Sequence, residues 1–282
     1  ADVMMGFFFV APMAAFDGRA ALTLSLLVAA SSLLYSAGMV LNDVFDYEED
    51  CRERPERPLP SGRVSPPAAR RFGWSLLIAG TAVAVVASAA IAGVGPAAVG
   101  VALAGWIVVY NKIFKHTMLG PIVLGICRMF NVVLGMAAAV DRLPDDSILV
   151  VEAIGLFIVG VSVLARGEAQ QGRRAVIFLG VVLMMVAVGS LWWLPIWRPL
   201  VVQPSHWRLF VVLMATLVAW RCYPALMDPE PAVVQRTVGQ SIRSLVVLDA
   251  AITVAVAGLA PGVAILLLLA PNILLGRWFY ST

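Results

Sequence analysis

Residues 20–50 read AALTLSLLVAASSLLYSAGMVLNDVFDYEED. From Ala20 to Leu41 no residue is charged, and a helix crossing a hydrocarbon core takes roughly 20 apolar residues. The run is therefore one membrane span, and the carboxylates from Asp43 onward mark where it leaves the apolar layer. The same arithmetic holds along the chain. Of 282 residues, 61% are hydrophobic and 13% charged, with mean hydropathy +0.92. A soluble domain carries about 25% charge, and disorder needs low hydrophobicity with high charge, so both are excluded. Apolar blocks recur near 2–16, 20–41, 68–92, 95–110, 118–139, 148–165, 175–194, 206–220, 240–257 and 262–279, broken by glycines and prolines such as Gly93, Gly95, Pro96, Pro195, Pro204 and Pro261. Lipid demands internally satisfied backbones, and continuous runs are not the alternating strands of a β-barrel. The expected fold is all-α: a polytopic integral membrane bundle of about nine or ten transmembrane helices, one domain over 1–282. The block at 2–16 has no basic segment before it, as a signal peptide would. It reads as the remainder of a first span, with the native start missing.

Charge placement says more than the net +3. Sorting loops alternately by side, fifteen of the 20 lysines and arginines fall on one side, four on the other, and Arg128 inside a span. The positive-inside rule makes the richer side cytoplasmic. Cys51, Cys127 and Cys222 have no metal-like spacing, and His116 and His206 stand far apart, which disfavours a disulfide framework, structural zinc and haem. Trp192, Trp193 and Trp197 beside Pro195 read as an interfacial belt.

The loop at 42–63 holds seven of the 17 carboxylates. Asn42, Asp46 and Asp50 are spaced i, i+4, i+8, and Asp43 precedes Asp46 by three. If the span continues as a helix, all four share one face. Like charges so placed repel unless a cation lies between them. A hard divalent cation with oxygen ligands does this, and magnesium takes one or two carboxylates plus phosphate oxygens. The alternative is a solvated acidic helix end meshed with the arginines that follow. Residue chemistry alone leaves both open, and Glu48, Glu49, Glu53 and Glu56 suit the second better.

The run Asn42-Asp43-x-x-Asp46-x-x-x-Asp50 resembles the first aspartate motif of the UbiA superfamily of intramembrane prenyltransferases. Arg57-Pro58-Leu59-Pro60-Ser61-Gly62-Arg63 is similar to the segment that follows that motif. Tyr110, Lys115 and Gly120 resemble its Y…K…G segment, and Gly125–Gly135 resembles the EboC-like bacterial branch. The resemblance implies magnesium-dependent transfer of a prenyl group from a prenyl diphosphate to an apolar, aromatic or lipid-like acceptor within the bilayer. Asn42, Asp43, Asp46 and Asp50 would hold one metal, with Glu168 completing it or holding a second. Arg57, Lys115 and Lys112 would contact the diphosphate, with Asp43, Asp46, Asp50 and Lys115 the catalytic set. Phe45, Tyr110 and Phe130 are candidates to shield an allylic cation. The expected partners are these two substrates and the bilayer, with no nucleic acid.

One part departs from the family pattern. Its second motif, D-x-x-x-D, aligns here with Leu164 and Glu168, so one carboxylate remains of two. Arg166 beside them would pair with Glu168 or contact diphosphate itself. This erosion keeps a second function class open, a non-catalytic binder or carrier of an isoprenoid-like metabolite. Arg128, Asn131 and Asp249 fall inside predicted spans, where polar groups face a cavity or a partner. Arg128 and Asn131 would lie near the substrate head, or Arg128 would form an internal ion pair with Asp249 or a motif aspartate.

Overall fold

The computed structural model describes residues 1–11, 16–140, 142–167 and 173–270. Its elements run α1 (Asp2–Val10), α2 (Gly18–Phe45), α3 (Tyr47–Glu53), α4 (Pro66–Ile91), α5 (Gly95–Val109) with a π turn (Tyr110–Phe114), α6 (Gly120–Met136), α7 (Ser147–Arg166), α8 (Arg173–Ser190), a short 3₁₀ turn (Leu191–Trp193), α9 (Leu194–Trp197), α10 (Pro204–Met227), α11 (Pro231–Ala257) and α12 (Leu259–Leu266). Among the described residues there is no strand, and seven helices are long and apolar enough to cross a membrane, with α6 a shorter apolar helix. The first and last apolar blocks yield only the nine-residue α1 and the eight-residue α12. Residues 12–15 and 271–279 of those blocks lie outside the description. Helices α10 and α11 run several residues past the blocks read from sequence. Helical hydrogen bonds do not stop where hydropathy does, so Arg221, Arg236 and Arg243 sit within helices.

Prolines open these helices. Pro66, Pro96, Pro121, Pro195, Pro204 and Pro231 occupy the first or second helical position, where the missing N–H has no partner to lose and φ is already set. Outward-facing positions carry bare apolar side chains, among them Ile78, Val86, Phe178 and Trp220. That pattern suits lipid, not water. Trp193 and Trp197 are exposed beside Pro195, as an interfacial anchor requires.

The interior has two packed halves. One gathers residues of α7, α8, α10 and α11; the other gathers α2, α4 and α5. Helices α1 and α6 serve both: Met5, Phe9, Val132 and Met136 face the first half, and Phe7, Phe8, Cys127 and Leu134 the second. These two helices touch backbone to backbone through two glycines. A Cβ on Gly6 would overlap the Val132 carbonyl, and one on Gly135 would overlap the Val3 carbonyl. Small residues permit such approach in apolar bundles. The consequence is that Asp2, at the start of α1, is carried against α6 beside Arg128. Gly135→Val is expected to force the helices apart, at about 2 kcal/mol or more. A lowered melting temperature in detergent, with Gly105→Val (a glycine facing open space) as the near-neutral control, checks this.

Candidate functional site

Helix α2 ends at Asp46, whose φ −84 and ψ 0 mark a slight break before α3. The ladder nevertheless continues: the Asp46 N–H donates to the Asn42 carbonyl at 3.0 Å and the Asp50 N–H to Asp46 at 2.8 Å. The i, i+4, i+8 register therefore survives the break, and Asn42, Asp46 and Asp50 share one face. Asp46 and Asp50 are buried, 8% and 6% exposed. Asp43 stays half-exposed and lines a cavity.

Buried carboxylates need cations or donors, and Asn42 of the same helix and two other segments supply them. The Asn42 amide donates to Asp46 Oδ2 at 3.1 Å, and Lys115 Nζ donates to the same oxygen. Arg57 Nη1 lies 2.8 Å from Asp50 Oδ2 and 3.7 Å from Asp43 Oδ1, bridging two motif carboxylates. Arg57 is held by a coiled segment in which Ser61 N–H donates to the Arg57 carbonyl and Val64 N–H to Pro58. Leu59 is its buried anchor. Gly62 closes the coil at φ +76, a conformation that a side chain would strain.

Lys115 reaches Asp46 because the end of α5 widens into a π turn, with the Lys115 N–H donating to the Tyr110 carbonyl at 2.8 Å. Such widenings recur at functional sites because they re-aim side chains. Arg166, at the end of α7, donates from Nη2 to the carbonyls of Lys115 (3.0 Å) and Thr117. Gly120 lets this happen, since a Cβ there would meet Arg166 Nη2 at 2.6 Å and the Lys115 carbonyl at 2.8 Å. Arg166 thus holds the lysine's backbone and is a positioning residue in this arrangement. Leu164 is fully buried in the core. Glu168 lies outside the described residues.

A cavity of about 630 Å³ runs inward from Asn42 and Asp43. Tyr110 and Asn111 line it near the mouth, and Tyr35, Arg128, Asn131 and Asp2 line its other pole. There Arg128 Nη1 lies 2.9 Å from Asp2 Oδ2 and Asn131 Nδ2 donates to the same oxygen at 3.2 Å. Ser31 donates to Asn131 Oδ1 at 2.7 Å, and the Arg128 guanidinium lies 5.4 Å over the Tyr35 ring. The ion pair therefore forms with Asp2, not with Asp249 or a motif aspartate. The α1–α6 glycine contact brings Asp2 beside Arg128. Lys112 is exposed and Phe45 points out, and neither lines this cavity.

Five contributors escaped the sequence reading. Glu49 and His116 come together with Asp46, their ligand atoms within 4.8 Å of one another, as a group that could hold a metal ion. His116 Nε2 is 3.4 Å from Asp46 Oδ1 and Nδ1 is 3.7 Å from Glu49 Oε2. Glu49 follows Asp46 by three on α3, a visible helical signal; His116 had only its adjacency to Lys115. Asn111 is turned inward by the π turn, and Tyr35 and Asp2 are cavity-lining. Asp2 was legible as a lone carboxylate in an apolar block. Asp46, Glu49 and His116 bring ligand atoms together, and Asn42, Asp43 and Asp50 add oxygen donors at the same helix end, a chemistry that suits a hard divalent cation.

A family profile described as "UbiA prenyltransferase family" matches residues 3–232. The chain belongs to that family. It is similar to proteins named digeranylgeranylglyceryl phosphate synthase: 46% identical over 54 residues to that of Sulfolobus acidocaldarius, covering 19% of this chain and 20% of the relative. The Methanoregula boonei protein of that name is 48% identical over 60 residues, 21% and 22% of the two chains. These matches span about a fifth of the length of the curated relatives. A solved structure described as "Structural and mechanistic insights into the biosynthesis of Digeranylgeranylglyceryl phosphate synthase in membranes" superposes with TM-score 0.65 at 18% identity, over 90% of this chain and 91% of that one. At that identity the likeness is one of fold: a UbiA bundle, and an integral multi-pass membrane protein. The EboC-like resemblance rests on the Gly125–Gly135 stretch alone.

Removing Arg166 should loosen the segment that carries Lys115. In Arg166→Ala, amides of residues 112–120 are expected to exchange hydrogen at least about tenfold faster, the effect of losing roughly 1.5 kcal/mol of charge-assisted hydrogen bonding. Arg166→Lys should recover part of the protection. Hydrogen-exchange mass spectrometry in nanodiscs reads both.

Proposed function

We propose that the protein is a prenyltransferase that moves the prenyl group of a prenyl diphosphate onto an acceptor bound in the same cavity. The observation that carries this reading is the convergence, beside the cavity-lining Asn42 and Asp43, of Asp46 and Asp50 with Lys115 and Arg57 from two other segments. The name borne by the relatives supports prenylating chemistry.

The allylic carbon–oxygen bond breaks with its electron pair leaving on diphosphate. The acceptor atom supplies the pair for the new bond and sheds a proton to water at the mouth. Departing charge is the main barrier, and cations fixed in advance lower it without reorganisation. Arg57 offers a planar fork and Lys115 a point charge. Asn42, Asp43, Asp46 and Asp50 would hold magnesium, whose chemistry there is neutralisation of the diphosphate. Arg57 and Lys115, which lie against these aspartates, are also the side chains suited to bind phosphate oxygens. Tyr110 lines the mouth, and its ring face suits an allylic cation. Positive-inside bias supports a cytoplasmic mouth, open to water-soluble diphosphate.

One observation favours a second reading, a binder that does not turn over. Leu164 is packed in the core where the family places an aspartate, and Arg166 is engaged by backbone carbonyls. A single assay separates the two. Purified protein in nanodiscs is expected to release diphosphate from a panel of prenyl diphosphates only with magnesium. Asp46→Ala is expected to lower that release by about 100-fold or more, as loss of one preorganised electrostatic group does. Tight binding with no release, with candidate acceptors present, would establish the carrier instead.

A further inference from the structure

Prenyl transfer as derived above leaves His116 and Glu49 without a task. Both meet Asp46 on the flank of the α2 end, outside the cavity. Asn42 and Asp43 line that cavity, whereas Asp46, Glu49 and His116 do not. The Asp46 carboxylate is divided between two neighbourhoods. Asn42 and Lys115 both donate to Oδ2, and Oδ1 is left facing His116 Nε2 at 3.4 Å. One ligand atom from each of Asp46, Glu49 and His116 lies within 4.8 Å of the other two. The three side chains come from three segments: the end of α2, α3, and the chain that follows the π turn.

The spacing suits a shared ion better than direct contact. Hydrogen bonds from nitrogen run about 2.7–3.2 Å, whereas His116 stands 3.4 Å from Asp46 and its Nδ1 stands 3.7 Å from Glu49 Oε2. Two ligands each about 2.1 Å from a tetrahedral ion lie about 3.4 Å apart. Glu49 is half-exposed, so its carboxylate can turn to fill the third position, with water in the fourth. Donor chemistry then sets the class of ion. Magnesium takes oxygen ligands in an octahedron and keeps several of its waters. An imidazole nitrogen beside two carboxylates suits zinc and its borderline neighbours, which such donors bind more tightly than the earlier dications of the row.

We propose that Asp46, Glu49 and His116 form a second metal site, outside the cavity, that takes a borderline first-row dication of the zinc class through one imidazole nitrogen and two carboxylates. The ion ties α3 and the segment that carries Lys115 to the end of α2. Asp46 is the one residue shared with the magnesium set, and the site does not depend on whether the protein turns over prenyl diphosphate.

The test uses the full chain, free of affinity tags, in nanodiscs with excess magnesium to fill the oxygen sites. Zinc titrated by calorimetry is expected to bind at one ion per chain, at least about 100-fold more tightly than magnesium. Zinc-edge X-ray absorption is expected to show only nitrogen and oxygen neighbours, with one imidazole among them. His116→Ala and Glu49→Gln lie on separate segments, so misfolding of one leaves the other. Each should weaken zinc at least about tenfold, and His116→Ala should erase the imidazole signature. Asp43→Asn, at the cavity, should leave zinc affinity unchanged. No zinc binding over excess magnesium would overturn the inference, as would affinity unmoved in the folded His116 and Glu49 variants. So would a sulfur neighbour, which puts the ion on Cys51, or affinity lost in Asp43→Asn but kept in His116→Ala, which puts it among the motif aspartates.

Discussion

A carboxylate taken out of water at the end of an apolar helix has to be met by positive charge, and most of what surrounds Asp46 serves that need. Its oxygens draw Asn42 from the same helix, Lys115 from the segment after α5, and His116 beside it. Those contacts set where the 110–117 segment lies, and this in turn calls for the π turn, the bare Gly120 and the Arg166 guanidinium that ties the segment to α7. Arg57 repeats the logic at Asp43 and Asp50 with the coiled segment after α3. The basic groups that hold the aspartates together are also those suited to a polyphosphate, so one electrostatic constraint shapes both the fold at this end and the chemistry the end can perform.

The other pole obeys a different constraint. Helices in an apolar medium gain little from hiding apolar surface, so close contact and polar pairing hold them together. Gly6 and Gly135 give α1 and α6 that contact, and the same approach puts Asp2 on Arg128 deep in the bundle. Among the described buried residues both packed halves draw on these two helices, and both helices line the cavity. At the far end, Arg198 spans Asp146 at 2.8 Å and the Phe9 carbonyl, which fixes the end of α1 from outside the cavity.

Much of the aspartate face was legible in the sequence, since helical periodicity is local. Asn42, Asp46 and Asp50 repeat every four residues, and the register holds across the slight break at Asp46 because the i→i−4 bonds persist. Arg57 and Lys115 were legible from segments resembling a known family. Glu49 sat one helical turn from Asp46, yet its surroundings of alternating charge made a solvated role equally good. His116 and Asn111 acquire their roles from the π turn, which shifts phase relative to an ordinary helix and leaves little trace in residue pattern. Arg166 is a candidate from sequence to pair with Glu168 or to contact diphosphate; its hydrogen bonds among the described residues go to carbonyls 49 and 51 positions away.

Composition and spacing by themselves determined an all-helical membrane chain, the span of most helices, and the aspartate face of α2, because each depends on residues within one or two turns of each other. Only the tertiary structure decided which basic residue meets which aspartate, that Arg128 pairs with Asp2, and that Asp249 of α11 lies against the Asp2 carboxyl. Those outcomes depend on which backbones come close enough to touch. That is settled by glycines at helix crossings and by counter-charge across segments as far apart as Asp2 and Arg128, 126 residues, and no local pattern records it.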